Sequence, residues 1–275
     1  MDPVARDGRR ALTLAVPALA VFAAFWLLPM VRLAAVGASG PDGIAAYFAV
    51  VTNAAYFRSL VSTVALSAGV SVATLVLALV AGIFLQRNRF PGRGVLLSLM
   101  TLPLAFPGVV VGFMVILLVG RQGLVGEITS RLFDGKLVLA YGMAGLFIGY
   151  LYFSIPRVIL TIMASVEKLD PALEEAARSL GASTWQVLRD VILPALTPAI
   201  ISSGAICFAT AMGAFGTAFT LATQINVLPL TIYNEFTNYA NFAMAASLSI
   251  VLGVITWAAL AAARSLAGAG VAAAG

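Results

Sequence analysis

Long apolar runs separated by short polar stretches set the pattern of this chain, with such runs near 11–36, 60–85, 95–119, 137–165, 194–221 and 242–263. A helix that crosses a bilayer needs about 20 mostly apolar residues, because the hydrocarbon core is about 30 Å thick and each residue advances about 1.5 Å. The pattern predicts six spans, or five if the boundaries of the fourth and fifth are misplaced; Pro156 and Arg157 interrupt the fourth. The first run is longer than the apolar core of a cleaved signal peptide, about 7–15 residues, so it is expected to remain as an anchor. The expected fold class is an all-α polytopic membrane protein. A polar N-terminus covers 1–10, one transmembrane domain covers 11–265 and a tail covers 266–275.

Basic residues give the direction. Arg6, Arg9 and Arg10 precede the first span, and Arg87, Arg89 and Arg93 lie between the second and third. Lys168, Arg178 and Arg189, with Arg157 close by, fall between the fourth and fifth, and Arg264 follows the sixth. Arg32, Arg58, Arg121, Arg131 and Lys136 fall on the opposite side. The positive-inside bias puts both termini in the cytoplasm, as an even number of spans requires.

Composition narrows the chemistry. Of 275 residues, 61% are hydrophobic and 10% charged, against about 25% charged in an ordinary soluble domain. Histidine is absent and Cys207 is the single cysteine. A histidine base, histidine metal ligands, an intrachain disulfide and a CxxC site are therefore excluded, and no metal site is expected. A membrane-bound enzyme is disfavoured by the missing histidines and the lack of clustered acids. The net charge of +5 reflects orientation rather than nucleic-acid binding. No acid falls well inside a span by this reading, which disfavours an ion-coupled carrier or channel, the main alternative.

Within the spans, Pro103 and Pro107 lie four residues apart and predict a bend in the third, with Phe106 beside them as a gate or packing residue. Gly108-xxx-Gly112 and Gly145-xxx-Gly149 offer flat faces for close helix contact. Cys207 is expected to pack in the fifth span, and Trp26 and Trp257 to pack or anchor at an interface.

The stretch 166–193 does not read as membrane. Asp170 can cap a helix whose first residue is Pro171, with Glu174 and Glu175 near its start, where the dipole favours negative charge. Gly181 is placed to end that helix. Ser183 and Gln186 have capping-box spacing for a second helix, on which Trp185, Leu188 and Ile192 form an apolar stripe. Pro194 is expected to end the turn into the fifth span. A helix lying on lipid is usually rich in Lys and Arg. Paired glutamates point instead to a protein partner with basic groups.

Glu175-Ala176-Ala177, three residues, Gly181, nine residues and Val191-Ile192-Leu193-Pro194 closely resemble the EAA loop of permease subunits of binding-protein-dependent ABC importers, read as EAA-x3-G-x9-I-x-LP. Val191 is the one departure, where isoleucine is usual. The resemblance implies the type I importer fold in a bacterial inner membrane. It also implies a coupling loop over 166–193 that docks on a separate ATPase dimer. Glu174, Glu175, Ala176, Ala177, Arg178, Gly181, Ser183, Trp185 and Arg189 are its candidate docking residues. A second permease subunit, identical or related, and a periplasmic solute-binding protein are the further implied partners, beside the bilayer. The chain has no Walker A motif. It is expected to hold no cofactor, with ATP and Mg²⁺ bound by the ATPase subunit.

The segment 213–219, GAFGTAF, and the polar stretch 224–252 look similar to the spermidine/putrescine, ferric-iron and phosphonate importer group. The resemblance implies a small polar or charged solute. Candidate pathway residues are Pro103, Phe106, Pro107, Phe215, Tyr233, Asn234 and Glu235. Glu235 reads as an acid of an outer loop, able to attract a polyamine, to contact the receptor or simply to face solvent.

Overall fold

Six stretches are long and apolar enough to cross a bilayer: Ala15–Gly37, Ala54–Arg87, Gly108–Leu132, Met143–Glu167, Thr184–Met212 and Phe242–Ala267. The computed structural model describes residues 15–133, 135–221 and 225–271, with side chains as far as 267. Every regular element among them is helical. Expectations for 1–14, including Arg6, Arg9 and Arg10, and for the last four residues fall outside the described residues.

The elements are α1 (Ala15–Gly37), α2 (Gly43–Thr52), α3 (Ala54–Arg87), α4 (Arg93–Ala105), α5 (Gly108–Val119) and α6 (Leu124–Leu132). They continue with α7 (Met143–Glu167), α8 (Pro171–Ser179), α9 (Thr184–Met212), α10 (Gly216–Leu221), α11 (Leu228–Thr237) and α12 (Phe242–Val271).

Several boundaries differ from the sequence reading: the third span is Gly108–Leu132 and the fourth starts at Met143. The third span is not a bent helix over 95–119. The chain breaks between α4 and α5, where Phe106 (ψ 134°) and Pro107 (ψ 149°) are extended. The proline ring clashes with a helical conformation at the residue before it, and Phe106 is that residue. The fifth span starts ten residues early. The short helix at Thr184 runs without interruption into α9 through a π-turn over Leu188–Ile192, in which the Leu193 N–H donates to the Leu188 carbonyl. Pro194, expected to end a turn, sits in the first turn of the helix that follows. The wider π-turn accommodates a ring that would clash with a carbonyl in a regular α-helix.

The chain divides into two units. One holds residues 15–57 with Thr231–Gly253. Here α1 ends at Gly37, where a Cβ would lie 2.5 Å from the Tyr47 Oη and 2.9 Å from the Ser247 Oγ, so only glycine permits the approach. Ser247 donates to the Gly37 carbonyl at 3.0 Å, and Tyr47 donates to the Ala34 carbonyl. Glu235 is buried on α11, and its Oε1 accepts from the Tyr56 hydroxyl at 2.8 Å. The reading of Glu235 as a solvated loop acid is therefore wrong: α11 forms through it and carries it inward.

The other unit holds Arg58–Leu230 with 254–271. On α3 the residues Ser59, Thr63, Ser67, Ser71, Thr74, Ala78 and Gly82 are buried along one face. Small residues let helices approach closely where lipid supplies no hydrophobic drive. A Cβ on Gly82 would meet the Ile162 side chain of α7 at 2.9 Å, and one on Gly204 of α9 would meet Leu75 at 2.9 Å. Thr63 accepts from the Leu228 N–H at 2.7 Å. Gly112 of α5 lies against Thr220 of α10, and Gly149 of α7 against Thr217, each closer than a Cβ would allow. Cys207 is buried, as expected of a packing residue, whereas Trp26 and Trp257 are exposed.

Candidate functional site

The helix pair that follows α7, made of α8 and the first turns of α9, is built by its caps. The Asp170 side chain accepts from the Ala172 N–H at 2.9 Å and Pro171 takes the first helical position, where its missing N–H costs nothing. At the far end the Gly181 N–H donates to the Arg178 carbonyl at 2.9 Å and the Ala182 N–H to the Ala177 carbonyl at 3.1 Å. This is a Schellman closure, which needs a left-handed residue at its turn, and Gly181 has φ +85°. No atom lies within 4 Å of where its Cβ would be. The requirement for glycine is therefore conformational and not steric.

Two residues on, the capping box forms. The Ser183 N–H donates to Gln186 Oε1 at 2.7 Å, and the Gln186 N–H donates to Ser183 Oγ at 3.4 Å. The apolar stripe differs from the expected one. Val187 and Ile192 are buried, while Trp185 is 64% exposed. Because Thr184–Ile192 is continuous with α9, the face turned inward is set by the packing of the span. Trp185 is thereby left outside with Leu173 and Leu180, which are 56% and 90% exposed.

The candidate polar residues divide. Glu175 and Arg178 are exposed, as are Ala176, Gly181 and Ser183, while Ala177 is half-buried. Glu174 is held by the guanidinium of Arg87, the last residue of α3. Arg189 pairs with Asp190 at 2.9 Å. Spacing could not reveal the Arg87–Glu174 contact, because the partners are 87 positions apart. Its only sequence signal was the basic cluster after the second span. Arg93 of that cluster folds back, donating from Nε to the Leu85 carbonyl at 2.7 Å and from Nη2 to Gln86 Oε1 at 3.1 Å. A cation there satisfies the end of α3.

The pathway candidates fall in both units. Pro103 and Phe106 line a cavity of 260 Å³ with Phe153, Arg157 and Thr217. Pro107 precedes the first turn of α5. Phe215 stacks near Phe219, with ring centres 5.3 Å apart, beside a turn to which the Tyr150 hydroxyl donates at the Ala214 carbonyl. Tyr233, Asn234 and Glu235 belong to α11 in the other unit. Arg157, expected to interrupt the fourth span and counted beside the loop, lies inside α7, ten residues before its end at Glu167.

Residues 75–268 match the family described as the binding-protein-dependent transport system inner membrane component. The chain is similar to the sulfate transport system permease protein of Escherichia coli, 35% identical over 216 residues that cover 76% of each protein. It is also similar to the molybdenum transport system permease protein of Escherichia coli, 34% identical over 197 residues that cover 68% of this chain and 85% of the relative. A bacterial alginate ABC transporter, solved with an alginate-bound periplasmic protein, has the same fold. Its TM-score is 0.81 at 18% identity, over 96% of this chain and 95% of that one. The subgroup drawn from residues 213–252 gives way here: these sequence relatives are sulfate and molybdenum permeases, not polyamine, ferric-iron or phosphonate ones.

Proposed function

We propose, for a chain that belongs to the family of binding-protein-dependent transport system inner membrane components, that its cargo is a tetrahedral oxyanion of the sulfate or molybdate type. The chain is a transport subunit of an ABC importer. In this reading it forms the passage with a second permease subunit, identical or related, in the inner membrane of a bacterium with both termini in the cytoplasm. A soluble receptor delivers the anion from outside. A partner ATPase dimer binds ATP and Mg²⁺ and docks on the loop at 166–193. Alternating access moves the spans, and the chain performs no covalent chemistry.

The observation that carries the coupling role is the capped helix pair, bent at Gly181 and joined without a break to α9. Rigid-body transmission needs such a stiff, covalently continuous element. Exposed Leu173, Leu180 and Trp185 supply apolar area for a partner, and Glu175 supplies a free carboxylate beside them. The cargo reading is supported by the sulfate and molybdenum relatives.

The test is uptake by proteoliposomes holding the assembled importer, loaded with ATP inside and given receptor with sulfate, molybdate or spermidine outside. Oxyanion uptake that needs ATP is the expected result. Spermidine uptake alone would overturn the cargo, and uptake without the ATPase subunit would restore the ion-coupled alternative. Glu175→Arg is expected to lower recovery of the ATPase subunit with this chain; unchanged recovery would remove Glu175 from the docking surface.

A further inference from the structure

Arg157 stands at an unusual depth. Ten residues separate it from the end of α7 at Glu167, about 15 Å of helix at about 1.5 Å per residue, or half of a hydrocarbon core about 30 Å thick. Cations at that depth are rare, and they mark ion or substrate pathways where they occur. Its hydrogen bond goes from Nη1 to the neutral Thr210 hydroxyl at 3.2 Å. Among the described residues no carboxylate pairs with it. Arg157 is exposed on the surface of α7, so a guanidinium at that depth without a counter-charge is open to an anion that would complete it.

The surroundings fit such an anion. Tyr150, Phe153 and Arg157 are spaced three and four apart on α7 and so share one face. Phe153 and Arg157 line the 260 Å³ cavity, a half-open cleft that Phe106, Gly108 and Thr217 also line. At about 30 Å³ per water, that volume takes one small oxyanion with a few of its waters. Gly108 is also the first residue of the twelve-residue α5, whose positive dipole end adds to the field of the guanidinium without being needed for it. Phe106 and Phe153 add apolar rings to the lining.

We propose that the cavity between Phe106, Phe153 and Thr217, with the Arg157 guanidinium in its wall, is where the passing oxyanion is held within the membrane. Arg157 is a specificity residue here. One guanidinium with a single neutral hydroxyl beside it selects for negative charge and still releases the cargo.

This rests on the oxyanion reading above, and the test separates the two. The assembled importer is reconstituted with wild-type chain, Arg157→Gln or Arg157→Lys, and uptake of radiolabelled sulfate and molybdate is measured beside receptor-stimulated ATP hydrolysis. Arg157→Gln is expected to lower uptake by about tenfold or more, the worth of one charge-assisted hydrogen bond, with ATP hydrolysis preserved. Arg157→Lys, which keeps the charge and loses the fork, should fall between it and wild type. Wild-type uptake by Arg157→Gln overturns the site while leaving the cargo reading standing. Equal loss in both variants, with hydrolysis lost as well, assigns Arg157 to packing and also overturns the site. A wild-type importer that moves neither anion overturns the cargo reading, and the site falls with it.

Discussion

Arg87 and Glu174 join the C-terminal end of α3 to the first turn of α8. The pair ties a second span to an element already continuous, through its bend, with α7 and α9. Glu174 is thus turned toward its own chain, and Glu175, one residue on, is the carboxylate that faces outward. Adjacent acids in a helix point about 100° apart, so one sequence pair serves two directions.

Breaking that tie should weaken coupling without preventing assembly. Arg87 and Glu174 are 33% and 16% exposed, and a partly solvated pair contributes about 1 kcal/mol or less. Glu174→Gln is therefore expected to slow ATP-driven uptake by no more than about fivefold. The swap of Arg87→Glu with Glu174→Arg should recover part of the loss, as measured by uptake in proteoliposomes. Failure of the swap together with normal rates in both single variants would show the pair to be incidental.

Gly181 offers a test free of steric confusion, since open space surrounds its Cβ position. A valine there meets only the backbone cost of a left-handed conformation, about 1–2 kcal/mol. Gly181→Val should leave ATP hydrolysis running while uptake falls, and Gly181→Asn should be milder because asparagine tolerates that region. Equal effects of the two on the ratio of uptake to hydrolysis would rule out the conformational account.

Ser183 holds both halves of the capping box. Ser183→Ala should cost about 1 kcal/mol of local helix stability. The readout is faster proteolytic nicking between Gly181 and Trp185, with the remainder of the chain as resistant as before.

The half-buried Tyr56 donates to the buried Glu235 within one unit. Tyr56→Phe removes the donor and leaves a buried carboxylate oxygen short of a partner, a loss of about 1–3 kcal/mol. A lower thermal midpoint in detergent is expected. Midpoints that coincide for wild type and Tyr56→Phe would mean that another group takes over.

The local signals were legible. Asp170, Pro171, Gly181, Ser183 and Gln186 each act within a few residues of chain, so spacing alone places the caps and the bend. The six spans were legible from apolar length. What sequence spacing could not show depends on residues far apart or on competition between neighbours. The break at Phe106 follows from Pro107, yet apolar content runs straight across it. The π-turn before Pro194 keeps a helix going where proline reads as a stop. Pro156 and Arg157 read as an interruption of the fourth span, yet α7 runs through both to Glu167. Trp185 is the largest apolar side chain of its short helix, yet Val187 is the one buried, since the packing of α9 decides which side faces in.

The unbroken run from Thr184 to Met212 has a mechanical result. A helix of 29 residues is about 43 Å long, so each degree of tilt imposed at its first turn would swing the far tip by about 0.8 Å. In the proposed coupling role, a modest rocking at Thr184 would become a sideways stroke of several ångströms at Met212, and α9 would work as an amplifying lever.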